Sequence, residues 1–220
     1  MLYNIFLPYA SYWHVANLMT YITFRSGMAI LSSLLVSFII GPRIISKLKM
    51  LQKRGQPIRE DGPDSHFAKA GTPTMGGIII ISATLFSILL FSDLANPYVW
   101  IIIFVFIMFG LLGFLDDYTK VSKFNYRGIT GKKKLFFQFS VSLVVFAAIK
   151  YCSLHSHAID LAVPFSKTLL IDLGYFYFPF AMCVIIGSSN AVNLTDGLDG
   201  LAIGTVTIAA SAFAIISYLV

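Results

Sequence analysis

The sequence predicts an all-α, polytopic membrane protein of about six transmembrane helices plus an N-terminal interfacial helix. Three observations predict it. Hydrophobic residues make up 57% and charged residues 12% of the 220-residue chain, against roughly 25% charged in a soluble domain, and mean hydropathy is +0.81. The apolar residues come in long blocks, not in amphipathic stripes. The basic residues gather in the loops between those blocks, which explains the net charge of +6 by the positive-inside bias and argues against a nucleic-acid partner.

The first 25 residues carry Tyr3, Tyr9, Tyr12, Trp13 and Tyr21, side chains suited to a membrane interface, while Pro8, His14 and Asn17 weaken a span. An interfacial helix is expected there, with a seventh span as the alternative. The absence of a basic n-region argues against a cleavable signal peptide. Spans are expected at Ser26–Ile45, Thr74–Phe91, Tyr98–Leu115, Leu135–Tyr151, Tyr175–Ser189 and Leu201–Val220. At about 1.5 Å per residue, Tyr98–Leu115 just crosses the hydrocarbon core. Pro179 is expected to kink the fifth span. Cys152 and Cys183 are the only cysteines and suggest no disulfide framework. No separate soluble domain or internal repeat stands out, so residues 1–220 read as one integral membrane domain.

Loop charge orients the spans. The first loop carries Lys47, Lys49, Lys53, Arg54, Arg59 and Lys69. The third carries Lys120, Lys123, Arg127, Lys132, Lys133 and Lys134. The second, 92–97, has neither Lys nor Arg, and the fourth has Lys167, with Lys150 at its edge. The first and third loops are therefore expected in the cytoplasm and the amino terminus outside. By parity, the polar elbow Ser188–Gly200 is cytoplasmic too. Asp93, Asp160 and Asp172 then fall outside. Glu60, Asp61, Asp64, Asp116, Asp117, Asp196 and Asp199 fall inside.

The elbow is costly between two apolar blocks, and polar groups kept beside hydrocarbon usually serve function. Together with Asp116 and Asp117 it suggests one wall of a Mg²⁺–phosphate cleft, because Mg²⁺ takes one or two carboxylates, waters and phosphate oxygens, while Lys neutralises remaining phosphate charge. Adjacent Asp116 and Asp117 point about 100° apart on a helix and so are expected to divide the work. Asp196 and Asp199, if they begin the sixth helix, share a face; the plainer reading is that Asp196 caps that helix. Gly71–Gly77 suits either close approach to a phosphate or a tight loop before a packed helix, and spacing alone leaves both open. Weaker signals are Gly128–Lys133, which lacks the glycine spacing and preceding strand of a P-loop, and Asn193-Leu194-Thr195, a formal glycosylation acceptor on the cytoplasmic side. His14, His66, His155 and His157 read as interfacial or loop residues.

Four stretches then occur in a recognisable order: Lys69-Ala70-Gly71-Thr72-Pro73-Thr74-Met75-Gly76-Gly77, Gly113-Phe114-Leu115-Asp116-Asp117-Tyr118, Gly131-Lys132-Lys133-Lys134 and Asn190–Gly200. With them the chain resembles the polyprenyl-phosphate N-acetylhexosamine-1-phosphate transferase superfamily over nearly its whole length. The first stretch favours the phospho-N-acetylmuramoyl-pentapeptide transferase branch. The resemblance implies transfer of phospho-MurNAc-pentapeptide from UDP-MurNAc-pentapeptide to undecaprenyl phosphate in the bacterial inner membrane. Lipid I and UMP would be the products, with Mg²⁺ as cofactor and peptidoglycan synthesis as the pathway. It implies catalytic roles for Asp116, Asp117 and Asp199, with Asp116 and Asp199 organising the metal. It implies substrate contacts from Lys69, Thr74, Lys120, Lys133, Asn190, Asn193 and Asp196. A homodimer is an assembly compatible with the resemblance.

Members of that family run about half as long again, with roughly ten spans, and carry a later Asp and a His-rich motif. Neither occurs here, so the chain is expected to be the amino-terminal portion of a larger transferase, truncated at an apolar block. The competing expectations are a transferase for another UDP-sugar, a transporter or flippase, and a non-catalytic membrane remnant. A transporter would place acids near the midplane, whereas these gather at one face.

Overall fold

The computed structural model describes residues 1–52, 73–123, 128–152, 160–162, 170–196 and 200–219. Helices α1 (Leu2–Phe6) and α2 (His14–Leu18) precede the long α3 (Ile22–Leu51), α4 (Gly77–Phe91), α5 (Pro97–Lys123) and α6 (Gly131–Cys152). A two-stranded ribbon, β1 (Asp160–Ala162) and β2 (Leu170–Asp172), leads to α7 (Tyr177–Thr195) and α8 (Leu201–Leu219). The ribbon is antiparallel, with Leu161 opposite Ile171. The architecture is that of a polytopic helical membrane protein. α3, α5, α6, α8 and the stretch Gly174–Thr195 are each long and apolar enough to cross a bilayer. Helix α4, at 15 residues, is apolar but shorter than a usual span.

The expected boundaries need four corrections. The interfacial helix is instead two five-residue helices separated by a 3-10 turn with Pro8 in its first positions, because proline cannot continue a helix from within. Neither piece is long enough to be the alternative seventh span. The second span starts at Gly77, not Thr74, because Met75 has a φ of +72° and a left-handed residue cannot sit inside a right-handed helix. Pro179 occupies the first turn of α7, where its missing N–H costs no intrahelical bond, so it starts the helix and does not kink it. Most of the polar elbow is helix. α7 continues to Thr195, Asp196 is its C-cap residue, and α8 begins only at Leu201, so Asp196 neither opens nor caps the sixth span.

Contacts divide the chain into two compact units. The first comprises residues 1–137 and 147–152; the second comprises residues 138–146 and 153–220. In the first unit, α3 and α4 lie against each other through small residues: Ser32 and Ser87 share a 2.8 Å hydrogen bond, and Ala83 is buried. Small residues let helix backbones approach where lipid offers no hydrophobic drive for association. α5 joins α4 at Gly110, where an added Cβ would lie 2.6 Å from Ile81 Cδ1.

At one end of this unit, the turn between α4 and α5 is latched to α1. Asn4 Nδ2 donates to Asp93 Oδ1 at 2.8 Å, and Asn4 Oδ1 accepts from the Leu94 N–H at 3.0 Å. Asp93 Oδ1 also accepts the Ala95 N–H, while the Asn96 side chain accepts the Tyr98 N–H in the first turn of α5. The Asn4 amide, then the Ala95 N–H, hold the Asp93 carboxyl below the usual carboxylate range.

In the second unit the middle of α6 meets α7. Gln138 is wholly buried. Its Nε2 donates to Ser189 Oγ at 3.1 Å and its Oε1 accepts from Asn190 Nδ2 at 3.0 Å. Farther along, Phe146 packs on Phe178 with ring centroids 4.7 Å apart.

Candidate active site at the end of α5

The apolar run of α5 ends at Leu115, but the helix does not. It continues to Lys123, so Asp116, Asp117 and Lys120 are carried on rigid helical backbone just beyond the hydrophobic stretch. The i, i+4 and i, i+3 spacings bring Lys120 over both acids. Its Nζ lies 2.7 Å from Asp116 Oδ2 and 3.2 Å from Asp117 Oδ1.

Each acid then takes a different second partner, the division expected from their angular separation. Asp117 Oδ2 accepts a 2.8 Å hydrogen bond from the Thr74 hydroxyl. Asp116 Oδ1 accepts the Ile129 N–H at 2.9 Å. Both oxygens of each acid are therefore engaged, but the Asp116 side chain is 11% exposed and that of Asp117 30%. Asp117 is the more accessible of the two carboxylates.

Two residues that sequence reasoning did not select hold this arrangement. Gly128 has a φ of +59°, and an ideal Cβ there would lie 2.5 Å from Asp116 Oδ1 and 3.0 Å from Lys120 Cε. Only glycine lets this backbone close on the buried acid without strain. The stretch dismissed as a poor P-loop thus supplies an amide to a carboxylate. Gln52, the C-cap residue of α3, is buried, and its Oε1 accepts the Thr74 N–H at 2.9 Å. A glutamine entering a basic loop carries no sequence signal distinguishing it from a solvated one. Gln138 did carry a signal, a polar amide inside an apolar span.

Of the expected site residues, Thr74, Asp116, Asp117 and Lys120 come together. Lys133 is exposed in the first turn of α6, within the same unit. Asn190, Asn193 and Asp196 belong to the second unit. Asn190 is turned to Gln138 and to the Ile186 carbonyl, 2.9 Å away, while Asn193 and Asp196 are exposed. Lys69 and Asp199 lie outside the described residues.

Residues 99–220 match glycosyl transferase family 4, and residues 69–81 match phospho-N-acetylmuramoyl-pentapeptide-transferase signature 1. The chain belongs to glycosyl transferase family 4. It is similar to the phospho-N-acetylmuramoyl-pentapeptide-transferase of Rickettsia bellii (strain RML369-C), with 58% identity over 220 residues, covering all of this chain and 61% of the relative. Similarity to the proteins of the same name from Rickettsia felis and Rickettsia prowazekii is 57% and 55% over 221 residues, with the same coverage. The chain therefore spans 61% of the length of these curated relatives. The signature match ends in α4 and includes Thr74, and the family match includes the acids of α5.

Proposed function

We propose that this chain carries the reaction of those relatives: transfer of phospho-MurNAc-pentapeptide from its UDP carrier to undecaprenyl phosphate, giving lipid I and UMP for peptidoglycan. The observation that supports it best is the hydrogen bond from Thr74, inside the matched signature, to Asp117, inside the matched family region. A turn and a helix end from separate parts of the chain converge on one carboxylate.

A lipid phosphate is already largely anionic at neutral pH, since its second pKa is about 6. Its oxygen needs alignment and charge neutralisation more than a strong base, as is general for phosphoryl transfer. In this reading Asp117 orients the acceptor phosphate and takes its residual proton. Lys120 offsets the charge brought to the two acids. Asp116, the more buried acid and held by the Ile129 N–H, fixes Lys120. Lys69, Lys133, Asn190, Asn193 and Asp196 remain substrate contacts proposed from the sequence, and Asp199 remains a proposed catalytic acid.

Mg²⁺ is the proposed cofactor. The described residues include no ready group of three acid, His or Cys ligands, but Mg²⁺ needs only one or two carboxylates when phosphates and waters complete its shell. Asp116, expected to hold the ion, and Asp117 beside it are both hard oxygen donors, and Asp117 has the more accessible side chain. When bound, the ion would neutralise phosphate charge. The end of α5 that bears the acids is proposed to face the cytoplasm.

The test is transfer by the chain in liposomes containing undecaprenyl phosphate and Mg²⁺, with radiolabelled UDP-MurNAc-pentapeptide and unlabelled UDP-GlcNAc as competitor. Labelled lipid and UMP should form, and Asp117→Asn should lower the rate about 10²- to 10⁴-fold. Undiminished turnover by the Asn variant would remove Asp117 from the mechanism. Effective competition by UDP-GlcNAc would favour a transferase for another sugar.

A further inference from the structure

We propose that Gln52 is a positioning residue that holds Thr74 on Asp117 by clamping a strained turn. The inference rests on the site reading above for its catalytic meaning, but not for its geometry.

The carboxamide of Gln52 grips the backbone of residue 74 at two points. Its Oε1 accepts the Thr74 N–H at 2.9 Å, and its Nε2 faces the Thr74 carbonyl at 3.3 Å and Met75 Sδ at 3.3 Å. It is 6% exposed, so water does not compete well for either end. What it grips is unfavourable by itself. Met75 has a φ of +72°, the one non-glycine residue with positive φ among the described residues. A methionine there persists only where its surroundings over-determine it. The next residue, Gly76, caps α4, and the Ile78 and Ile79 amides already bond to the Met75 and Gly76 carbonyls.

The turn is thus fixed on one side by a helix start and on the other by Gln52. Between them, the Thr74 hydroxyl points at Asp117. Without the clamp, Met75 can relax toward negative φ, which swings Thr74 away. Because Gln52 touches neither acid, its effect on them passes through Thr74.

The test compares wild type, Gln52→Ala, Met75→Gly and the double variant in liposomes. The first readout is carbodiimide labelling of carboxylates, located by mass spectrometry, with Asp93 as an internal reference. The second is hydrogen exchange over residues 74–79. Gln52→Ala should raise labelling of Asp117 relative to Asp93 about fivefold, as loss of a hydrogen bond of ordinary strength would, and should speed exchange at 78 and 79. Glycine adopts positive φ without penalty. In the Met75→Gly background, removing Gln52 should therefore change both readouts at least about twofold less. Equal labelling and exchange in Gln52→Ala and wild type would overturn the clamp. An undiminished effect in the Met75→Gly background would overturn the strain account.

If Gln52→Ala raises Asp93 labelling as well, the whole unit has loosened and Gln52→Glu decides. It keeps an acceptor for the Thr74 N–H and loses the donor, so an intermediate Asp117 value supports the clamp and a wild-type value overturns it. Turnover is read separately: kcat should fall in Gln52→Ala with KM for the UDP-sugar little changed. If wild type makes no lipid product, the proposed function fails while labelling and exchange still decide the clamp.

Discussion

At the residue scale the tightest constraint is Gly128. Two requirements meet there, a left-handed φ and room for Asp116, and substitution can separate them. Asparagine tolerates left-handed φ far better than alanine, but both add a Cβ. Gly128→Ala and Gly128→Asn should therefore both lower the proposed transferase rate at least about tenfold, since a misplacement of about 1 Å costs about 10²-fold where orientation matters. Near-wild-type turnover in the Asn variant would mean that φ alone is the constraint. The acids themselves were legible because carboxylates ending an apolar run are costly and few. Their partners were not. Gly128 was visible but read against a phosphate-loop template, and Gln52 is polar in a polar stretch. Its burial and its reach to Thr74 exist only once the chain is folded.

Between elements, polar groups inside apolar helices act as pins. Gln138→Leu would leave Asn190 without its interhelical acceptor and Ser189 without its donor. Interhelical hydrogen bonds in membranes average about 0.6 kcal/mol, reaching about 1.7, so a loss of roughly that size is expected in unfolding from bilayer-mimicking micelles. No loss would show that the amides find other partners. The latch between α1 and the α4–α5 turn gives a pH dependence. The folded pKa of Asp93 is lowered, so its stabilisation is complete above the ordinary carboxylate range, near pH 4, and is lost as pH falls through the lower folded value. Exchange at the Leu94 and Ala95 amides, corrected for intrinsic rate, should be flat from pH 7 to 5 and should rise below about pH 4. Asp93→Asn should remove that dependence.

Helix positions were legible from apolar blocks, but their ends were not. α7 runs six residues further than its apolar block, and its polar side chains there turn back onto the helix: Asn190 bonds the Ile186 carbonyl and Thr195 Oγ1 the Ala191 carbonyl at 2.8 Å. Hydrophobicity marks what contacts lipid, not where the backbone stops being helical.

For the whole molecule, loop charge predicts that the two ends of α5 face opposite compartments. In a chain freed of Cys152 and Cys183, an impermeant thiol reagent applied to intact cells should modify Ala95→Cys and spare Lys133→Cys. The reverse pattern would invert the topology, and modification of both would break the assignment of α5 as a span.

α5 has a further consequence as a measure of depth. One end is fixed by the Asn4–Asp93 latch and the Asn96 cap, and the other carries Asp116 and Asp117. The intervening residues therefore set how far from the membrane midplane those carboxylates sit, and in which direction they face. One extra residue before Asp116 would advance the acids about 1.5 Å and rotate them about 100°. Lys120 would travel with them, while Thr74 and Ile129, held by other segments, would stay behind. The helix can vary widely in which apolar side chains it shows to lipid, but hardly at all in how many residues it contains.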